Sequence, residues 1–368
     1  MCGGDEYDKI DEDRQSVSED AVREKIKHLL ERYFITAMGA MALGLFASLL
    51  IGTIFSTLGK YTGLALFNDI NTYASQASGM AIGVAVALAL KAHPLVIFSS
   101  AAVGFAGYSI GVEVEKFGGS GEMFQATAGP AGAFFAVIVA AEIGMLVSKK
   151  TKVDILVTPA VTVFTGVLAA HLVSPFIARI MYWLGVFVNT ATEYRPLLMG
   201  IVVSAVVGIV LTLPISSAAL CAMIGIAGIA GGAAAVGCCC QMVGFAVCSF
   251  RENRWGGLVS QGLGTSMLQM GNICRHPAVW IPPILASVIC GPLSTLVFRL
   301  ECAGVSAGMG TCGLVGPIGI LAASGSSPMV WAGIVLLCVV LPAALSLLFA
   351  EIMRKLGWIR EGWMKLEV

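Results

Sequence analysis

From about residue 35 to residue 353 the chain is a succession of apolar runs, divided only by short polar stretches. Such runs can enter hydrocarbon only as helices or as closed barrels, because lipid offers no partner to a free backbone N–H or C=O. No series of alternating strands of about ten residues is present, which argues against a barrel. The charge content removes the soluble alternative. Charged residues make up 12% of the chain, against about a quarter in a soluble domain. The expected fold is an all-α polytopic membrane protein. The 44 glycines suit it, since small residues let membrane helices approach closely. A net charge of zero argues against nucleic acid as a partner.

About ten crossings are expected from the ~20-residue length of a transmembrane helix. They fall near residues 35–58, 75–90, 94–111, 127–147, 153–173, 196–213, 216–236, 238–250, 281–298 and 329–353. Residues 60–71 read as a polar connection, and an acidic glycine-rich loop carries Glu113, Glu115 and Glu122. Residues 175–189, with Tyr182 and Trp183, read as an interfacial helix. The acidic start, residues 1–20, reads as a cytoplasmic tail without a cleavable signal. Residues 21–34 (AVREKIKHLLERYF) read as a helix on the membrane surface or as a plain linker. Lys/Arg clusters precede the first crossing and follow the fourth, eighth and tenth, which with an even count puts both termini in the cytoplasm. Arg179, Arg195 and Arg299 run against that rule. The chain then divides into a tail with an interfacial helix (1–34), a scaffold and dimerisation half (35–195), a solute-binding and transport half (196–353), and a tail (354–368).

Two tracts repeat one pattern: Gly262-Leu263-Gly264-Thr265 and Gly308-Met309-Gly310-Thr311. Each lies in an apolar segment too interrupted for an ordinary span. With one crossing between them, they should enter from opposite sides as re-entrant hairpins, the first from inside and the second from outside. Broken, glycine-rich segments in opposed positions point to a transporter's binding site. Bare glycine backbone with Thr265, Ser266, Gln269, Asn272 and Thr311 supplies neutral donors and acceptors. Such groups suit an uncharged polar solute, because no charge has to be buried. Tight glycine packing between helices is the alternative reading.

Ionisable residues within apolar segments are functional candidates by default. Glu142 could bind hydroxyls, relay a proton, or reach to the interface. Asp154 and His171 are weaker candidates, and His171 suits a structural role. His93-Pro94 and His276-Pro277 could gate a pathway or simply end helices. Gln241 and Gln261 could line a cavity or bond between helices. The eleven cysteines lie mostly in apolar runs, where they behave as small hydrophobes; neither disulfides nor a metal site is expected. No P-loop, catalytic triad pattern or cofactor motif is present.

Several longer stretches carry a resemblance. These are KAHPLVIFS (91–99), KKTKVDILVTPAVT (149–162), LTLPISSAAL (211–220), AAAVGCCCQMVGFAVCSFREN (233–253), QGLGTSMLQMGNI (261–273), WIPPILASVICGP (280–292), GMGTCGLVGP (308–317) and LGWIREGWMKLEV (356–368). Over about residues 35–368 the chain resembles the membrane-embedded IIC component of the sugar phosphotransferase system, in its stand-alone perfringolysin-regulator-like branch. The resemblance implies about ten spans with two re-entrant hairpins, a homodimer in the bacterial cell membrane, and elevator-like movement of a sugar. It also implies phosphorylation by separate IIA and IIB proteins, since no such domain lies in this chain. Related proteins hold sugar with a histidine and a glutamate near the hairpins. The nearest counterparts here are His276 with Glu301 or Glu142. Members of the branch are also described as regulatory proteins. A solute sensor, and an ion- or proton-coupled carrier using Glu142, therefore stand beside the permease reading.

Overall fold

The computed structural model describes Glu24, Leu29 and residues 31–115, 123–192 and 195–366. The readings of residues 1–20, most of 21–30 and Glu122 lie outside the described residues. The helices are α1 (Glu31–Gly59), α2 (Ala65–Gln76), α3 (Ser78–Ala89), α4 (Pro94–Ser109), α5 (Gly129–Val147), α6 (Asp154–Thr192) and α7 (Pro196–Thr212). They continue with α8 (Ser217–Met223), α9 (Gly228–Cys248), α10 (Phe250–Val259), α11 (Met270–Arg275), α12 (Pro277–Phe298), α13 (Cys312–Ser324) and α14 (Pro328–Lys355). Among the described residues, α1, α5, α6, α9, α12 and α14 are long and apolar enough to cross a membrane. Helices α3, α4, α7 and α13 are apolar but shorter. This is an all-α polytopic membrane protein.

The structure departs from the expected span pattern in four places. The stretch expected as a connection at 60–71 continues into helix α2, which buries none of its residues. The acidic loop is flanked by an antiparallel pair, β1 (Gly111–Glu115) and β2 (Met123–Thr127), in register Gly111 to Thr127 and Glu113 to Gln125. The separate interfacial helix at 175–189 is instead the continuation of α6, 39 residues long with Pro159 and Pro175 inside. At 1.5 Å per residue that is about 58 Å, nearly twice a hydrocarbon core of about 30 Å. The excess does not end in solvent. Met181 and Val188 of α6 pack in one core with Ala126 of β2 and with Val112 and Val114 of β1.

The fourth departure matters most. The crossings expected at 216–236 and 238–250 are not two spans. Residues 217–223 form only the short α8, and α9 runs unbroken through Gly237 and the three cysteines that follow it. Gly237 is there for contact, not for a break: a Cβ on it would lie 2.0 Å from the carbonyl oxygen of Ser204 in α7. Helices α7 and α9 run parallel, with Ser204 beside Gly237 and Thr212 beside Gln241. Helix α12 runs antiparallel to both. Ser204 Oγ donates to Ser287 O at 2.8 Å, and Thr295 Oγ1 donates to Pro196 O at 2.8 Å.

Two interrupted stretches complete the second half. The first, residues 249–276, follows α9 through α10, a π-helical turn (Ser260–Gly264), a 3-10 turn (Ser266–Gln269) and α11. The second, residues 299–327, lies between α12 and α14 and holds a 3-10 turn (Gly304–Gly308) before α13. The apolar interior falls into two main clusters. One surrounds α7, α9 and α12; the other joins α1, α3, α4 and α5 to Phe245, Met267, Met270, Ile273 and Met364.

Because α9 is packed through a bare glycine, adding side-chain volume at Gly237 forces α7 and α9 apart. Gly237→Val is expected to destabilise the protein by about 1–3 kcal/mol or more. Gly39→Ala, in α1 with no atom within 4 Å of the added Cβ, is expected to stabilise by about 0.5–1 kcal/mol through helix propensity. Thermal unfolding of the detergent-solubilised variants, read by tryptophan fluorescence, checks both.

Candidate functional site

The two Gly-x-Gly-Thr tracts come together. Thr311 Oγ1 donates a hydrogen bond to the carbonyl oxygen of Gly262 and reaches Met242 Sδ of α9 at 3.5 Å. The tracts share a sequence pattern but not a role. In the first, Gly264 makes room for Phe46, whose ring would lie 2.5 Å from an added Cβ. Thr265 is extended and its hydroxyl accepts from Met267 N, capping the turn that follows. Gly262 has only Ala246 near it, at an ordinary 3.5 Å; its carbonyl is what the site uses. In the second, Gly310 has φ +54 and an added Cβ would lie 2.8 Å from the Cys238 backbone, so only glycine fits both the turn and the contact. Gly308 lies against α8: Ser217 Oγ donates to its carbonyl at 2.6 Å.

Around this junction lies a cavity of about 60 Å³. Its polar lining is Ser216, Ser217 and Thr265, and the rest is apolar, including Leu45, Leu49, Pro130, Met309 and Cys312. No charged residue lines it. Helices α1 and α5 of the first half form one wall, and both tracts form the other. Cys312 Sγ sits 3.8 Å from Thr53 Oγ1 of α1. A second cavity of about 230 Å³ flanks the same stretch on the side of α11. Ile35, Thr36 and Gly39 of α1, with Gly271, Asn272, Arg275, Lys365 and Leu366, contribute to its walls.

The remaining candidates divide into those near the junction and those away from it. Ser266 Oγ pairs with Thr212 Oγ1 at 2.8 Å, and Thr212 donates to Gln241 Oε1 at 3.4 Å. Trp280 Nε1 donates to the same oxygen at 3.0 Å. Gln269 and Asn272 are buried one and two turns beyond the tract and are bonded to each other. Both also bond the backbone of the segment that follows α14. His276 stacks on Trp363, ring centroids 3.9 Å apart and planes 5° from parallel. Partial burial and Arg275 hold its imidazole below the ordinary range, which favours the neutral ring in the stack. Glu142 lies several turns away along α1, paired with Arg32 at 2.7 Å and accepting from Tyr33 OH at 2.9 Å. It braces the start of α1 against α5. Glu301 is exposed at the opposite end, its backbone exchanging bonds with Ser324 Oγ. Neither glutamate is bonded to His276: Glu142 is engaged by Arg32 and Tyr33, and the Glu301 backbone by Ser324.

Sequence reasoning passed over Ser216, Ser217, Thr212 and Trp280. The first three follow or flank Pro214, and the break at that proline was the signal that could have found them. Among the described residues no cluster of His, Cys, Asp and Glu suits a metal ion. The described cysteines are unpaired, and all but Cys274 are buried.

No curated protein and no solved structure matches the chain. The family model described as "Phosphotransferase system, EIIC" matches residues 35–366. A match of that extent, on a polytopic fold of apolar helices, establishes that the chain belongs to the phosphotransferase system EIIC family and is a membrane permease component of that type.

Proposed function

We propose that this permease carries an uncharged, hydroxyl-bearing solute of the sugar type, seated between the two Gly-x-Gly-Thr tracts. The observation that carries the reading is the contact of Thr311 with the Gly262 carbonyl beside a cavity with only neutral polar lining. Hydroxyls of Thr265, Thr311, Ser216 and Ser217 give and accept hydrogen bonds without a buried charge. The two interrupted stretches act as re-entrant hairpins from opposite faces of a bacterial cell membrane. Residues 31 and 366 lie on the cytoplasmic side. The half from residue 196 to 353 shifts in elevator fashion against a dimeric scaffold formed by 35–195. Separate IIA and IIB proteins supply the phosphoryl group.

The cavity of about 60 Å³ is far below the ~300 Å³ at which small-molecule sites begin. The form described is therefore closed, and the tracts part to admit solute. The larger cavity, walled by Ile35, Gly39, Leu268 and Gly271, lies nearer the start of α1, and on this reading it supplies the cytoplasmic end of the path.

A thermal-shift panel of hexoses, hexitols and sugar acids identifies the solute, since binding to the folded state alone raises apparent stability. With the best of these, Thr311→Val and Thr265→Ala are each expected to weaken binding by about 2- to 10-fold, the worth of one neutral hydrogen bond. Ser324→Ala, at the rim beside Glu301, is expected to leave it unchanged. Unaltered affinity in both threonine variants would sink the site. Uptake into liposomes separates the permease from a sensor, which would bind and not transport.

Cys312 reports on opening. In a Cys2→Ser, Cys274→Ser background a small water-soluble thiol reagent is expected to reach Cys312, and saturating solute to slow that reaction several-fold. Mass spectrometry of the modified peptide measures it. A Cys312 that stays unmodified with and without solute contradicts a cavity that opens.

A further inference from the structure

We propose that the first interrupted stretch is also a binding groove for peptide backbone, and that the chain's own residues 362–366, which leave a turn at 361–364, occupy it as a latch. The segment after α14 does not leave the bundle. It folds back across the end where α9 finishes, and side chains of the first stretch bond its main chain. Asn253 donates through Nδ2 to Met364 O at 2.8 Å and accepts at Oδ1 from Leu366 N at 2.8 Å. Glu252 Oε1 accepts from Gly362 N at 2.8 Å. Gln269 Nε2 donates to Met364 O and Asn272 Nδ2 to Lys365 O, each at 2.9 Å. Bonds to main-chain groups give such a site affinity, and a pocket for a side chain gives it selectivity. Met364 fills such a pocket, fully buried with Met267, Met270 and Ile273. Trp363 lies flat on His276 with the Arg360 guanidinium over its ring.

What the latch holds is the polar relay of the stretch. Gln261 Nε2 donates to Ser249 Oγ, Gln269 Nε2 to Gln261 Oε1, and Asn272 Nδ2 to Gln269 Oε1. With the carbonyls of Met364 and Lys365 added, both amide protons of Gln269 and both of Asn272 are engaged. Lys365 and Leu366 also wall the cavity of about 230 Å³. Release of residues 362–366 therefore frees two buried amides and opens that cavity in one event. On the permease reading this is the cytoplasmic side of the solute path. The segment thus sets how readily the first tract moves.

Hydrogen–deuterium exchange on the full chain in nanodiscs tests the latch, and its readout needs no solute. In the unmodified protein, peptides covering 356–366 and 261–275 are expected to be protected. In Asn253→Ala and in Met364→Asp, both regions are expected to exchange at least about tenfold faster, while α9 keeps its protection. The unchanged α9 certifies the fold, and Asn253→Ala is the milder variant should Met364→Asp fail to fold. Adding a synthetic peptide of residues 356–368 to a chain lacking them is expected to restore protection of 261–275; a scrambled peptide is not. Fast exchange of 356–366 in the unmodified protein overturns the proposal. So does an unchanged 261–275 once the segment is released. Exchange is independent of whether Thr265 and Thr311 hold a solute, so the latch and the solute site stand or fall separately.

Discussion

Unwound backbone packed inside a bundle of apolar helices needs protein partners for its N–H and C=O groups, and α9 is where this chain finds them. The most hydrophobic stretch of α9 is 89% buried, by far the highest share among the long helices. The second interrupted stretch runs down the start of this helix as a strand would. Cys302 N donates to Gly228 O at 3.1 Å and Gly304 N to Ile226 O at 2.8 Å. Glycines 231 and 232 leave room for the carbonyls of Cys302 and Leu300. Deeper in, Gly310 rests on Cys238, and Thr311 bridges from Met242 to the other tract. A helix of glycine, alanine and cysteine is a poor lipid-facing span and a good wall for irregular backbone. Its composition follows from that task.

That same composition explains what could and could not be read beforehand. Apolar runs bounded by charge located α1, α5, α12 and α14, because hydropathy over 19 or more residues is a strong constraint. The Gly-x-Gly-Thr tracts stood out as a pair because one glycine-rich pattern interrupts two apolar segments, and in the fold Thr311 of one meets the Gly262 carbonyl of the other. Gly237 was misread because a glycine that lets two helices touch and one that ends a helix look alike in one dimension. Pro175 misled in the opposite direction. A proline inside a long helix is tolerated where neighbouring groups donate to the freed carbonyl, and no local pattern announces that. The β1–β2 pair was hidden by its acidic residues, which read as a loop.

Partners distant in sequence were beyond reach for a different reason. Gln269 and Asn272 stood out as neutral polar groups suited to a solute. Their contacts with Met364 and Lys365 span more than ninety residues, and no periodicity encodes them. Similarly, Glu142 stood out as an ionisable residue in an apolar run. Its meaning depends on Arg32 and Tyr33, which lie just before the first apolar run and come to it only when α1 packs on α5. Residue type is local information, whereas the partner that decides a residue's role is tertiary.

The closed junction is held by opposing terms of similar size. Thr311 on the Gly262 carbonyl and Ser266 on Thr212 favour closure, each worth about 0.5–1.5 kcal/mol. Gln241 works against it. Trp280 Nε1 can only donate, so it fixes the Gln241 oxygen toward itself and turns Nε2 to a place with no protein acceptor. A buried donor left unpaired costs about 1–3 kcal/mol. On the proposed permease reading, parting the tracts would lose the first set of bonds and offer Gln241 an acceptor from water or solute. Two arrangements so balanced would differ by only a few kcal/mol. A solute needs only a modest preference for one of them to shift the population. A fully satisfied, better-packed junction would be more stable and, for the same reason, could not move.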